Sequence, residues 1–162
     1  MSEPLFDITP VDPRSPEVVE LIRALSEELA RRYEYVTDSA GNFKPEDPLI
    51  ARSAFLIGRT GGCAVAYGAF PPLEDKVAEI KRMFVIPEYR GCGYSIAILT
   101  ELEQLARENG YTTVRLETGY RQPEAIRLYE QSGYSRIPNF GIYVGSECSV
   151  CFEKQIKEFS HQ

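Results

Sequence analysis

The stretch from Val77 to Ser95 constrains this chain more than any other. Val77 to Val85 is β-compatible and Ile86-Pro87 ends it. Arg90-Gly91-Cys92-Gly93-Tyr94-Ser95 then opens a helix whose inner side carries Ile96, Leu99, Leu102, Leu105 and Ala106, with Gly110 beyond its end. A strand that runs through glycines into a helix brings the unpaired N–H groups of the first helical turn to the end of a sheet, and such a turn attracts anions. Gly91 and Gly93 let the backbone approach a ligand closely, and Arg90 adds a charge suited to phosphate oxygens. The familiar phosphate-loop patterns are incomplete here. A Walker loop needs a Lys followed by Ser or Thr, and a dinucleotide fingerprint needs a third glycine where Ile96 stands. On its residues alone the loop is a phosphate cradle or a plain turn.

The remaining elements follow from periodicity and punctuation. Leu5 to Thr9 reads as a short strand, and Ser15-Pro16 supplies an N-cap and a first-turn proline. Val18, Leu21, Ile22, Leu25 and Leu29 then recur at helical spacing to about Tyr33. Tyr33 to Pro48 is polar and turn-rich, and reads as a loop or a short irregular helix. Ala54 to Arg59 and Cys63 to Phe70 flank Gly61-Gly62 as a hairpin, which Pro71-Pro72 closes. Within Val77 to Val85 the apolar phase changes: Ala78 and Ile80 share one parity, Met83 and Val85 the other. A one-residue bulge, or a strand buried on both faces, accounts for it. Thr112 to Thr118 alternates as a strand, Gln122-Pro123-Glu124 starts a helix that stops at Gly133, and strands near Tyr134 to Ile137 and Ser149 to Lys154 finish the chain. The order β-α-β-β-β-α-β-α-β-β predicts an α/β (α+β) fold, a mixed and mostly antiparallel sheet flanked by helices, in one domain over residues 1–162.

Eighteen Lys+Arg against 24 Asp+Glu give a net charge of −6, which opposes binding to nucleic acid, though a local basic pocket stays open. No run approaches a membrane span, and Met1 to Pro10 lacks the basic and apolar regions of a leader, so a soluble, unexported, cytoplasmic protein is expected, with no membrane partner. Cys63, Cys92, Cys148 and Cys151 are then expected as free thiols. Cys148 and Cys151 form a C-x-x-C, but the single histidine, His161, cannot complete a zinc set, so no metal is expected. The Cys148 to Phe152 stretch reads as a strand rather than the helix N-terminus a redox pair needs.

The longer context of the glycine loop sharpens its reading. Val85-x-Pro87-x-x-Arg90-Gly91-x-Gly93 before an apolar helix resembles the signature of the GCN5-related N-acetyltransferases (GNAT), whose pyrophosphate loop reads [QR]-x-x-G-x-[GA]. Ser95 replaces the usual Gly or Ala and adds a hydroxyl within reach of phosphate. Downstream, Ala125-Ile126-x-Leu128-Tyr129-Glu130-x-x-Gly133-Tyr134 is similar to the family's A-x-x-L-Y-x-x-x-G-[FY] helix, and Gln122 stands where many members carry Asn. The resemblance covers Val77 to Lys154 well. It implies acetyl-CoA as the acetyl donor, its pyrophosphate on the amides of Arg90, Gly91, Cys92, Gly93, Tyr94 and Ser95, with Gln122 as a further contact. It also implies that the pantetheine arm bonds the main chain of Met83, Phe84 and Val85 in a cleft where Val77 to Val85 and Thr112 to Thr118 splay apart.

The implied reaction is attack of a neutral amine, of a small molecule or peptide, on the thioester carbonyl. An alkyl ammonium with a pKa near 10.4 must first lose a proton. Glu79 is the candidate base, in the Ala78-Glu79-Ile80 context that one branch of the family uses, provided burial or a water raises its effectiveness. Tyr129 matches the family tyrosine that returns a proton to the CoA sulfur. Glu117, Tyr120, Arg121 and Tyr33 to Tyr35 are candidates for the acceptor side, and Phe140 to Tyr143 for a loop over the site. Homodimers are common in the family. The rival reading is a non-catalytic acyl-CoA-binding sensor, which would keep the loop without depending on Glu79 or Tyr129; a nucleotide-binding module ranks last, its motif being incomplete.

Overall fold

The computed structural model describes residues 6–12, 14–32 and 51–156. Tyr33 to Pro48 and His161 lie outside them. The chain runs β1 (Phe6–Pro10), α1 (Pro16–Arg32), β2 (Ala54–Thr60), β3 (Cys63–Phe70), β4 (Pro72–Glu74), β5 (Val77–Ile80), β6 (Arg82–Val85), α2 (Tyr94–Glu108), β7 (Thr113–Gly119), α3 (Pro123–Gln131), β8 (Ser135–Ile137) and β9 (Ser149–Gln155). One sheet has the order β1-β2-β3-β6 and is antiparallel; the other, β4-β5-β7-β9-β8, is antiparallel except for the parallel pair β5/β7. The expected mixed, mostly antiparallel architecture is thus present.

Two local expectations are corrected. The strand predicted as Val77 to Val85 is broken at Lys81 into β5 and β6, which belong to different sheets. Arg82 stands opposite Ala69 and Ala78 opposite Pro72, so three steps along one strand match four along the other; this is the one-residue bulge. All four β5 side chains are also buried, so both sequence readings of the phase change hold together. Pro71-Pro72 ends the hairpin strand at Phe70, as expected. The chain resumes as β4, a three-residue edge strand where a missing N–H costs no ladder bond. Ser15 precedes α1, and Val19 N–H donates to its carbonyl at 3.0 Å. Its Oγ, however, is buried with no hydrogen-bond partner among the described residues, leaving Pro16 with its fixed φ to start the helix.

Strand alternation divides the interior into two layers. Phe55, Ile57, Tyr67, Ala69 and Phe84 face α1 through Val18 and Leu21. Leu56, Phe70, Ala78, Ile80, Leu116 and Phe152 pack with Ile98, Leu99 and Leu102 of α2 and Tyr129 of α3. The fit of α2 on β3 is closest at Gly68, where an added Cβ would lie 2.6 Å from Ile98 Cγ2 and 2.9 Å from Leu102 Cδ1. That contact fixes α2 against the sheet, and with it the loop that opens α2.

Candidate active site

The bulge at Lys81 determines where the two sheets part. β5 pairs with β7 from Val77↔Thr113 to Ile80↔Leu116. Past that point β6 pairs with β3, whereas Glu117, Thr118 and Gly119 pair with β9. The facing edges of β6 and of the end of β7 diverge, and no strand fills the wedge between them among the described residues. Met83, Phe84 and Val85 form one wall. Phe84 and Val85 are each 5% exposed and Met83 packs on the core, so these residues offer the wedge main chain while their side chains serve packing. The Val85 carbonyl already accepts a hydrogen bond from Arg90 Nε at 2.9 Å.

The glycine loop closes the wide end of the wedge. Gly91 and Gly93 have φ of +82° and +83°, a region that side chains rarely enter, and a Cβ at either would meet nothing within 4 Å. Gly93 is the N-cap of α2, and the first helical bond is Ala97 N–H to Gly93 O at 3.1 Å. The amides of Tyr94, Ser95 and Ile96 therefore precede any intrahelical acceptor. Cys92 is exposed and Ser95 half-buried, while Tyr94 stacks on Phe6 at 3.9 Å between centroids and anchors the turn. Arg90 is built into the loop: besides the bond to Val85, its guanidinium lies 5.4 Å from the Phe84 ring centroid. Gln122 is the N-cap of α3, just past the end of β7, and its N–H donates to Gly119 O at 3.0 Å. Between α2 and α3 a groove of about 240 Å³, lined by Ile96, Thr100, Leu128 and Gln131, starts one residue beyond Ser95.

The outer face of the second sheet is polar, though largely buried. Glu79 on β5 is opposite Arg115 on β7, and alternation puts Glu117 on the same face. Glu79 is 5% exposed. Its Oε2 accepts the Tyr143 hydroxyl at 2.9 Å, and its Oε1 has no hydrogen-bond donor among the described residues. Burial pushes its pKa above the ordinary carboxylate value, with Lys81 and the Tyr143 bond pulling the other way. Glu117 is likewise raised by burial, Ser149 opposing and Glu79 adding to the shift; Ser149 Oγ donates to its Oε2 at 2.5 Å. Cys151, on β9 opposite Glu117, is 1% exposed, and burial pushes its thiol up. The two carboxylates thus face one another's field in a site that disfavours their charged forms.

Tyr129 belongs to the opposite face of this sheet. It is 5% exposed, its ring 5.7 Å from Tyr134 and 6.0 Å from Phe152. Burial, with the nearby Glu117 charge, drives its pKa well above the usual phenol value, so it stays protonated. Tyr120 and Arg121 are exposed and bond each other, Arg121 Nε to Tyr120 Oη at 2.8 Å. Tyr33 to Tyr35 lie outside the described residues. The Ser149–Glu117 contact and the place of Cys151 were not expected from sequence. Their signal was present in the strand alternation, but only the register of β5, β7 and β9 brings them beside Glu79. Among the described residues no three metal-ligating side chains converge, and no helix is long and apolar enough to cross a membrane.

The sequence pattern of the acetyltransferase (GNAT) family matches residues 20–134. The chain belongs to this family. An IAA acetyltransferase from Azospirillum brasilense is 32% identical over 158 residues, covering 94% of this chain and 99% of that protein. A solved structure from Klebsiella pneumoniae, assigned as an acyl-CoA N-acyltransferase, is 30% identical, with a TM-score of 0.79 over 94% of this chain and 99% of that one. A GNAT acetyltransferase from Elizabethkingia anophelis, solved with acetyl-CoA bound, shares the fold at 15% identity, with a TM-score of 0.66 over 93% of this chain and 97% of that one.

Proposed function

We propose that this GNAT protein transfers the acetyl group of acetyl-CoA to a primary amine of a small molecule or peptide. The carrying observation is the wedge between β6 and β7, which opens beside a glycine loop whose amides have no helical acceptor. Open space over Gly91 and Gly93 fits a pyrophosphate on the amides of Gly91 to Ser95; the Arg90 amide, expected among them, instead donates to Pro87 O at 3.3 Å. The exposed main-chain edge of Met83, Phe84 and Val85 fits the amide-bearing pantetheine arm, Gln122 stands across the wedge, and the groove between α2 and α3 suits the nucleoside end. The Elizabethkingia neighbour, with acetyl-CoA bound on the same fold, supports this choice of donor.

Bound there, acetyl-CoA supplies a thioester carbonyl as electrophile. Glu79 takes the proton that the amine nitrogen loses as it forms the new C–N bond, and its raised pKa brings it nearer the working range of a base. Tyr129, held protonated by burial, gives its proton to the sulfur as the C–S bond breaks, and solvent exchange restores both groups. Orientation in the wedge provides much of the acceleration by holding nitrogen and carbonyl together.

Titration calorimetry with coenzyme A, followed by thiol release from acetyl-CoA over a panel of amines, amino acids, polyamines and short peptides, tests the reading. Binding of the coenzyme with turnover of at least one amine is expected. No heat with coenzyme A overturns the reading; binding with no acetylation of any amine favours a sensor instead.

A further inference from the structure

Tyr143 is the one group of the 138–148 segment that reaches the candidate base, and the segment is built to hold it there. Gly141 and Gly145 have φ of +55° and +85°, so the chain bends sharply on both sides of the turn. Asn139 Nδ2 donates to the carbonyls of Tyr143 and Ser146, both at 3.0 Å, tying the bend shut. Phe140 packs edge-on to Tyr143 at 5.4 Å, and Arg115 lies 5.6 Å from the Phe140 ring centroid. Ile142 and Val144 on either side are 64% and 69% exposed, whereas Tyr143 is 8% exposed. A turn that leaves two apolar neighbours in solvent and buries a phenol between them is organised around what the phenol touches, which is Glu79.

We propose that Tyr143 is a positioning residue for Glu79: its hydroxyl holds Oε2, turns Oε1 toward the acceptor amine and keeps the carboxylate charged enough to accept a proton. The inference rests on the acetyl-transfer reading above. The groups around Glu79 make the phenol decisive. Its register partner Arg115 is drawn off by Glu153 at 3.1 Å and Glu74 at 3.5 Å, so no guanidinium among the described residues bonds the base. Glu117 on β7 and Cys151 on β9 add no positive charge, and Lys81, next to β5, acts through its field alone. Tyr143 therefore donates the only hydrogen bond to the carboxylate among the described residues. Burial drives the phenol's own pKa far above neutrality, so it remains a donor throughout the working pH range.

A donor to the ionised form lowers a carboxyl pKa, so removing it raises that pKa. In Tyr143→Phe the acid limb of the kcat/KM profile, measured with the best amine of the panel, should move up by about one pH unit, with the rate approaching wild type on the alkaline side. A carbon-13 titration of the Glu79 carboxyl in the free protein should show the same upward shift without any substrate. Replacing Tyr143 by 3-fluorotyrosine, a stronger donor of the same shape, should move both readouts down. A uniform loss at every pH, or no shift of the carboxyl in either variant, overturns the inference and leaves acetyl transfer standing. Full activity in Glu79→Gln overturns the base assignment and this inference together.

Discussion

Glu79 and Glu103 are buried to nearly the same degree, 5% and 6% exposed, yet their surroundings are opposite in kind. Glu103 on α2 receives Lys154 Nζ at 3.0 Å on one oxygen and the Tyr134 hydroxyl at 2.9 Å on the other, so its charge and both acceptors are satisfied. That triad joins α2 to β9 and to the residue after the α3 turn. Glu79 has one phenol, no ion pair among the described residues and a second carboxylate nearby. A buried carboxylate with a cation is a structural joint; one left without a cation has its proton affinity raised and can take part in chemistry.

The largest expected effect comes from Glu79→Gln. Its kcat/KM should fall by about 100-fold or more, as for loss of a general base, while the melting temperature stays within a few degrees of the parent. A steady-state assay beside a thermal melt checks both, and a large stability loss with unchanged turnover would reverse the contrast. Lys154→Met should do the converse, costing about 2–3 kcal/mol in urea unfolding because Glu103 is left buried without its cation, with kcat little changed. Gly93→Ala places a side chain at a φ of +83°, and should cost about 1 kcal/mol of stability and weaken coenzyme A in calorimetry, with amine KM unaltered.

The smallest effect is a slope. Glu79 and Glu117 have folded pKa values raised by burial, so the native state holds more protons than the unfolded chain between the ordinary carboxylate pKa and the raised ones. Their contribution to stability is therefore lost as pH rises through that window. Unfolding free energies measured across it should fall less steeply in Glu79→Gln than in the parent. An unchanged slope would show that Glu79 ionises as easily as a surface carboxylate and would erase its difference from one.

Much of the glycine loop that opens α2 is written locally. Gly91 and Gly93 are there because their φ values exclude side chains, and Tyr94, Ser95 and Ile96 form a helix start whose amides precede any intrahelical acceptor as a matter of helix geometry itself. The phase change between Ala78-Ile80 and Met83-Val85 allows a bulge or burial on both faces, and the fold contains both. Arg90 shows the limit of that reading. Its charge suggested phosphate, but its Nε is given to Val85 and its plane to Phe84, contacts that depend on how the loop folds back over β6.

The sequence by itself determined the elements, the glycine loop and the family, because capping, turn formation and alternation act over a few neighbouring residues. Only the tertiary structure decided that Glu103 is buried with a cation while Glu79, among the described residues, is buried without one. Glu79, Glu117, Tyr143 and Cys151 come from four separate segments, and they meet through the parallel register of β5 with β7 and the antiparallel register of β7 with β9. Proton affinity is set by burial and by charges a few ångströms away in space, and neither is a local property of the chain.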